Sequence, residues 1–194
     1  MNDHANPNHV TAFTGHQLHA SVFKYHFDSL YNYGIKMVKD EELVKDSIQE
    51  LFFRMWKNNV DFSNVSYLKA YLLKGLRHQI LNSLELKYHQ MDKVQIEDSL
   101  RIEFSPEDYF IQNQYEEGLR TKVLTALNKL SDKQREAIYL RYFEELEYDE
   151  IAEIMNINLQ SVKNNVHRGL ESLRELLGLV VWLVLLDFFS IKIN

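Results

Sequence analysis

Gln160, Ser161, Lys163, Asn164, Asn165, His167 and Arg168 gather amide, hydroxyl, ammonium, imidazole and guanidinium groups into one short stretch. Such groups suit the edges of bases in a DNA groove and the oxygens of phosphates. They share a helical pattern with an apolar stripe of Val162, Val166, Leu170, Leu173 and Leu177, which separates the polar face from a buried one. An earlier short pattern beginning at Tyr148 stops at Met155-Asn156-Ile157. Asn156 tolerates the left-handed backbone that a tight helix exit needs, and Asn158 can accept from the amides opening the next helix. Ala152 is small enough for two helices to approach closely. This is the arrangement of a DNA-reading helix-turn-helix, and spacing alone leaves open an ordinary helical hairpin with a solvated face.

Other chemistries find less support. The chain has no cysteine, which removes disulfides, thiolate metal sites and cysteine nucleophiles. Among its eight histidines, His4, His9, His16, His19 and His26 pair with no carboxylate at a known ligand spacing, so a metal hydrolase is a poor reading. Neither cofactor nor enzymatic activity is expected. The polar start MNDHANPNHVTAFTGH lacks a basic region followed by an apolar core, so a cytoplasmic protein is expected.

The net charge of −6 sits oddly with DNA until it is divided by segment. Residues 16–90 carry 10 basic and 8 acidic side chains, residues 91–118 carry 2 and 8, and residues 119–176 carry 9 and 10. Glu144, Glu145, Glu147, Asp149, Glu150 and Glu153 crowd the approach to the turn, whereas Lys163, Arg168 and Arg174 lie beyond it. So few cations predict weak, salt-sensitive DNA binding by the isolated chain, which therefore needs a carrier.

The elements that position these groups are helices throughout: two prolines, six glycines and long amphipathic runs predict an all-α protein. A first helix over about 17–38 places Phe23, Phe27, Leu30, Tyr31, Gly34 and Val38 on one face. Asp40 caps a second, with Glu41 and Glu42 in its first turn and Val44, Ile48, Leu51, Phe52, Met55 and Trp56 as its buried stripe. The two should pack antiparallel. A third begins near Ser63 or Asn64, runs past Asn82 and faces Val65, Leu68, Leu72, Leu76 and Ile80 inward. Met91–Phe104 reads as an acidic linker, and Ser105-Pro106-Glu107-Asp108 restarts a helix. Ser131 and Gln134 have capping-box spacing before a helix over Asp132–Phe143 that leads into the helix-turn-helix.

The run from Leu179 to Leu186 is unbroken hydrophobe, followed by Asp187, Phe188 and Phe189. It falls short of the roughly 20 residues that cross a bilayer, so it is expected to cover an apolar surface, and no stable membrane insertion is expected.

A further pattern lies on the second helix, Asp46-Ser47-Ile48-Gln49-Glu50-Leu51-Phe52-Phe53-Arg54-Met55-Trp56. It resembles the helix by which sigma factors of the extracytoplasmic function group, in the sigma-70 family, dock on the clamp coiled coil of RNA polymerase. Leu130-Ser-Asp-Lys-Gln-Arg-Glu, Leu140-Arg-Tyr-Phe-Glu, Tyr148-x-Glu-Ile-Ala-Glu-Ile and Val162-Lys-x-x-Val-His-Arg resemble that family's second module, in order. The resemblance covers about 16–177. It implies sigma region two, with the polymerase-clamp and minus-ten functions, over 16–90, and an acidic linker over 91–105. Region four, the helix-turn-helix for the minus-thirty-five element, would span 106–177, leaving a hydrophobic tail at 178–194. Asp46, Gln49, Glu50 and Phe53 would meet core RNA polymerase. Lys69, Lys74, Arg77, His78 and Asn82 would meet melted minus-ten DNA, although Leu84-Glu-Leu-Lys-Tyr-His-Gln stands where the family usually has several arginines. Gln160, Ser161, Lys163, Asn164, Asn165, His167 and Arg168 would meet the minus-thirty-five element. Promoter DNA and an anti-sigma factor are the other implied partners. The alternative is a helix-turn-helix regulator that never serves as a sigma subunit.

Overall fold

Two residues separate the first pair of helices, α1 (Gly15–Val38) and α2 (Glu41–Lys57). Lys39 turns the chain with a positive φ of 48°, and the Asp40 side chain accepts from the Leu43 amide at 3.1 Å, as a helix cap should. The pair is antiparallel: Gly34 lies against Val44 near the turn, and Phe23 meets Phe52 edge-on at 5.0 Å far from it. A Cβ on Gly34 would lie 2.7 Å from Val44 Cγ1, so the missing side chain sets how closely these helices approach. α3 (Leu68–Lys87) closes the module by burying Leu72, Leu73, Leu76 and Ile80 against Val44, Ile48, Leu51 and Met55. The computed structural model describes the backbone of residues 15–62, 65–87, 100–105 and 117–193, and side chains there except 15–18, 117, 119–120 and 179–193. The third helix begins at Leu68 and not near Ser63 or Asn64, because residues 65–67 leave Phe62 through a turn; the helix expected from Ser105-Pro106 lies outside the described residues.

Among the described residues, four helices build the second module: α4 (Glu117–Lys129), α5 (Asp132–Tyr142), α6 (Tyr148–Met155) and α7 (Leu159–Ile193). Ser131 and Gln134 form the expected capping box. Asn156 adopts the left-handed conformation, φ 52° and ψ 44°, and Asn158 Oδ1 accepts from the Ser161 amide at 2.7 Å. α7 crosses α5 where Gly169 leaves room, since a Cβ there would sit 2.6 Å from Ile138 Cδ1. Non-helical backbone at Gly178, φ 71°, marks where the hydrophobic tail begins. The tail's side chains lie outside the described residues, and with them its expected role as a cover. Among the described residues no helix is long and apolar enough to cross a membrane.

The two modules are packed together, and one buried cluster runs through both. The last residues of the expected linker join it. Leu100, Ile102 and Phe104 alternate inward along an extended segment, and Asn128 clasps the Phe104 backbone, accepting from its amide at 2.9 Å and donating to its carbonyl at 3.0 Å. The Phe104 ring lies 5.1 Å from that of Phe143 and 6.1 Å from that of Tyr139. Residues 100–105, expected as the end of an acidic linker, are therefore a strap bound to the second module.

Gly34→Ala gains about 1 kcal/mol of helix propensity but overpacks Val44, which typically costs about 1–3 kcal/mol. The clash wins, so urea denaturation should show a net loss of stability. Val44→Ala in the same chain should recover part of that loss, appearing as favourable coupling in a double-mutant cycle.

Candidate nucleic-acid interface

On α7, Val162, Val166, Gly169 and Leu173 face the core, while Gln160, Lys163, Asn164, His167 and Arg168 are exposed and Ser161 and Asn165 half-buried. Few of these groups are committed elsewhere: Gln160 donates to Asn164 at 3.0 Å, and His167 lies 3.4 Å from Glu171. All seven predicted residues therefore line one surface, in a helix whose entry is fixed by the turn at Asn156.

The predicted residues of the first module stand differently. Lys69, Lys74, Arg77, His78 and Asn82 follow one another along α3, but three of them are already paired across the seam. Lys69 Nζ reaches Glu144 Oε2 at 2.8 Å and the Glu144 carbonyl at 2.7 Å. Lys74 pairs with Glu153, and Arg77 Nε donates to Glu136 Oε1 at 3.1 Å. His78 stays exposed and shares a 3.0 Å hydrogen bond with Asn82. Lys74, Arg77, His78 and Asn82 line a hollow of about 600 Å³ with Arg54, Asn58 and Tyr71, closed on one side by Glu153 and Asn156 of the second module.

On α2 the residues Asp46, Gln49, Glu50 and Phe53 share one face, on which Glu50 is half-buried and held by Arg54 at 2.7 Å and the other three are exposed. They border a hollow of about 460 Å³ whose far wall is Gln79 and Ser83 of α3, two residues that the sequence reading did not include. Trp56 needs correction. It was expected in the buried stripe but is 47% exposed, and its ring lies 6.1 Å from Phe53, itself 52% exposed. The spacing of three residues puts both on one side of the helix, a turn away from Ile48, Leu51 and Met55. This side is therefore an apolar pair rimmed by acids and amides.

The seam centres on groups the sequence reading passed over. Tyr33 is fully buried, stacks on Tyr139 at 6.1 Å, and donates to Glu136 Oε1 at 2.6 Å. The same carboxylate takes Arg77, so one buried acid holds a phenol and a guanidinium from the other module. Burial, and then the Glu136 charge, push the Tyr33 hydroxyl well above its ordinary value of 10.0, with Arg77 opposing in part. Glu144, also buried, accepts from Ser29 at 2.6 Å and from Tyr139 at 2.7 Å as well as from Lys69. Beside Lys69, burial and then the lysine's charge hold the His26 imidazole below its ordinary range. One signal did point here: Arg77 sits among Leu73, Leu76 and Ile80, and a charge in such a place demands an acid.

Three comparisons bear on these surfaces. A family model described as sigma-70, region 4 matches residues 120–173, which take in most of α4, all of α5 and α6, and α7 as far as Leu173. RNA polymerase sigma factor YlaC of Bacillus subtilis is 26% identical over 151 residues, covering 76% of this chain and 85% of that protein. The ECF RNA polymerase sigma factor SigW of the same organism is 27% identical over 166 residues, covering 80% and 87%. Among solved structures, the sigma factor RpoE in complex with the anti-sigma factor NepR from Bartonella quintana matches with a TM-score of 0.55 and 26% identity, over 81% of this chain and 95% of that chain.

Because the Tyr33 hydroxyl keeps its proton in the folded state beyond the pH at which an unfolded tyrosine releases it, stability from this group is intact below about pH 10 and declines above it. Urea midpoints measured from about pH 8 to 11 should fall at the alkaline end. Tyr33→Phe should lower the neutral-pH stability by about 2 kcal/mol, the worth of a hydrogen bond to a charged group, and flatten the alkaline decline. An unchanged decline would show that Tyr33 does not govern it.

Proposed function

This chain belongs to the extracytoplasmic function group of sigma-70 RNA polymerase sigma factors, which direct promoter recognition and transcription initiation, and from that premise we propose how its surfaces divide the work. The α2 face of Asp46, Gln49, Glu50 and Phe53, with Trp56 beside it, docks on core polymerase. The α3 face of Lys69, Lys74, Arg77, His78 and Asn82 meets melted minus-ten DNA, and the α7 face from Gln160 to Arg168 reads the minus-thirty-five element. Members of this family regulate transcription without chemistry of their own, so nucleotidyl transfer stays with the polymerase and no cofactor is required here. The working place of such a chain is the cytoplasm.

The observation that carries the reading is the exposed Phe53 and Trp56 pair within a rim of Asp46, Gln49 and Glu50, on a different helix from the base-reading face. An exposed aromatic pair ringed by polar groups is the anatomy of a protein interface. A regulator that touched only DNA would have no use for it, which disfavours the alternative of a helix-turn-helix protein outside the polymerase. Region two at 16–90 and region four at 106–177 follow from this division. The RpoE match was solved with the anti-sigma factor NepR, which supports a protein inhibitor as a third partner.

Base preference follows from side-chain chemistry. Asn165 stands where arginine is frequent in the family; an asparagine amide pairs with adenine, whereas a guanidinium prefers guanine. The site under the middle of α7 should therefore favour A and T.

Phe53→Ala should leave the melting temperature close to that of the parent, since the ring is half exposed, yet weaken core polymerase binding by about 2 kcal/mol, roughly thirtyfold. Pull-down and titration with core polymerase measure this, and undiminished binding by both Phe53→Ala and Gln49→Ala would remove the docking assignment. For α7, binding-site selection with the polymerase complex should lose an A or T preference at one position in Asn165→Ala. Loss of a guanine preference instead would contradict the assignment.

A further inference from the structure

His19 ties α1 to the connection between α2 and α3. Its Nε2 lies 3.1 Å from the Val60 carbonyl oxygen, 41 residues along the chain, and its ring lies 4.5 Å from that of buried Phe62. A carbonyl only accepts, so Nε2 carries the proton and donates. Nδ1 is then the bare nitrogen, and it is buried without a hydrogen-bond partner among the described residues. We propose that His19 is a positioning residue for promoter opening: through Val60 it fixes one wall of the hollow at which α3 meets melted minus-ten DNA. This rests on the reading of α3 as the minus-ten surface and deepens it by naming what holds that surface in shape.

The connection is set from two sides. α2 governs its first residues, since Asn59 turns with a positive φ of 50° and the Val60 amide donates to the Met55 carbonyl at 2.9 Å. The Val60 carbonyl has its partner on α1 instead, and beyond it the Phe62 carbonyl accepts from the Val65 amide at 3.3 Å. His19 thus grips the connection at its middle, by the carbonyl before exposed Asp61 and the ring after it.

Asn58 and Val60 of this connection line the hollow of about 600 Å³ together with Tyr71, Lys74, His78 and Asn82 of α3. Leu51, Met55 and Leu81 add apolar lining. A space of this size, with apolar walls for the face of a base and amides for its edge, suits one unstacked nucleotide. Its shape depends on where Val60 sits, and an N–H on a rigid ring holds its acceptor within a narrow range of distance and angle. His19 stands behind the wall and acts through Val60. The bond lies wholly within the first module, so it does not depend on the residues of the second module that close the other side of the hollow.

The orphaned nitrogen points the same way. A side chain selected only to pack against Phe62 would do better without it, because a buried polar atom lacking a partner destabilises. Leucine would fill the place at no such cost, and what the imidazole adds is the donor to Val60. A local choice that costs stability is expected where function sets the residue.

The test uses the full chain with core polymerase and a duplex promoter recovered by binding-site selection. His19→Leu keeps an apolar body and removes the donor. His19→Gln keeps the donor, because its amide nitrogen stands as many bonds from Cα as Nε2 does. Core polymerase binding should be unchanged in both, with Phe53 and Trp56 untouched. The rate of promoter opening should fall about tenfold in His19→Leu, near the upper worth of one hydrogen bond, and stay within about twofold of the parent in His19→Gln. On a template mismatched across the minus-ten element, base pairing no longer competes with capture of the strand, and the His19→Leu defect should shrink to about twofold.

Opening at the parent rate in a folded His19→Leu chain would overturn the proposal. So would an equal defect on duplex and mismatched templates, which is what general loss of structure produces, or a His19→Gln chain as slow as His19→Leu. Lost polymerase binding in His19→Leu would place the effect on docking and overturn it too. If His19→Leu melts early, His19→Gln is compared with His19→Asn, whose amide stops one carbon short of Val60. The longer side chain should support opening and the shorter should not, and equal rates would overturn the role of the bond. Failure of the underlying reading looks different. Lys74→Ala with His78→Ala would then leave promoter opening by the polymerase complex unimpaired, whatever the His19 variants do.

Discussion

The arrangement of this protein depends on the charge of Glu136. It is nearly inaccessible to water and accepts from both Arg77 and Tyr33. A carboxylate in such a place is tolerated only when matched, and removing one partner of a buried pair is far more costly than the net worth of the pair. The second module therefore has a position that is specified by chemistry as well as by shape. Tyr33 stacked on Tyr139 and the strap at Phe104 complete the contact, but neither alone would choose this register over a neighbouring one.

Much of the fold was legible because local rules suffice for it. Asp40, Ser131, Asn156 and Asn158 do what their side chains predict at helix ends, and the inward faces of α2 and α7 follow the spacing of their apolar residues. What escaped was long-range. Tyr33 reads as an ordinary aromatic off the main stripe of α1, and only the second module explains its burial. Leu100, Ile102 and Phe104 alternate as an extended segment would, but the surrounding acids made the stretch read as a linker. Trp56 was misplaced for a simpler reason, since it ends an apolar run whose geometry turns it outward. The polar face of α7 was legible from its spacing, whereas the pairing of the α3 cations was not, because their partners lie at least fifty residues away in sequence.

The acidic cluster before the turn shows how position overrides composition. Glu147 and Glu150 close a capping box at the start of α6, and Glu147 also reaches Arg141 at 3.1 Å. Glu144 and Glu153 go to the seam. None of them lies on the α7 surface, so the negative total does not repel DNA from the residues that would read it. The net charge of −6 is thus compatible with a promoter-binding chain, provided that affinity comes from elsewhere.

That source is the polymerase, and the modest number of exposed cations on α7 fits a subunit that need not hold DNA alone. A sigma subunit with strong independent affinity would be titrated by the bulk of chromosomal DNA, since phosphate contacts carry no sequence information. Weak contacts become decisive only when a second attachment raises their effective concentration. With Phe53 and Trp56 as the proposed docking pair, the first module makes that attachment and the second is brought within reach of its element. Selectivity in such a chain comes less from any one contact than from the requirement that docking, opening and reading occur on the same promoter.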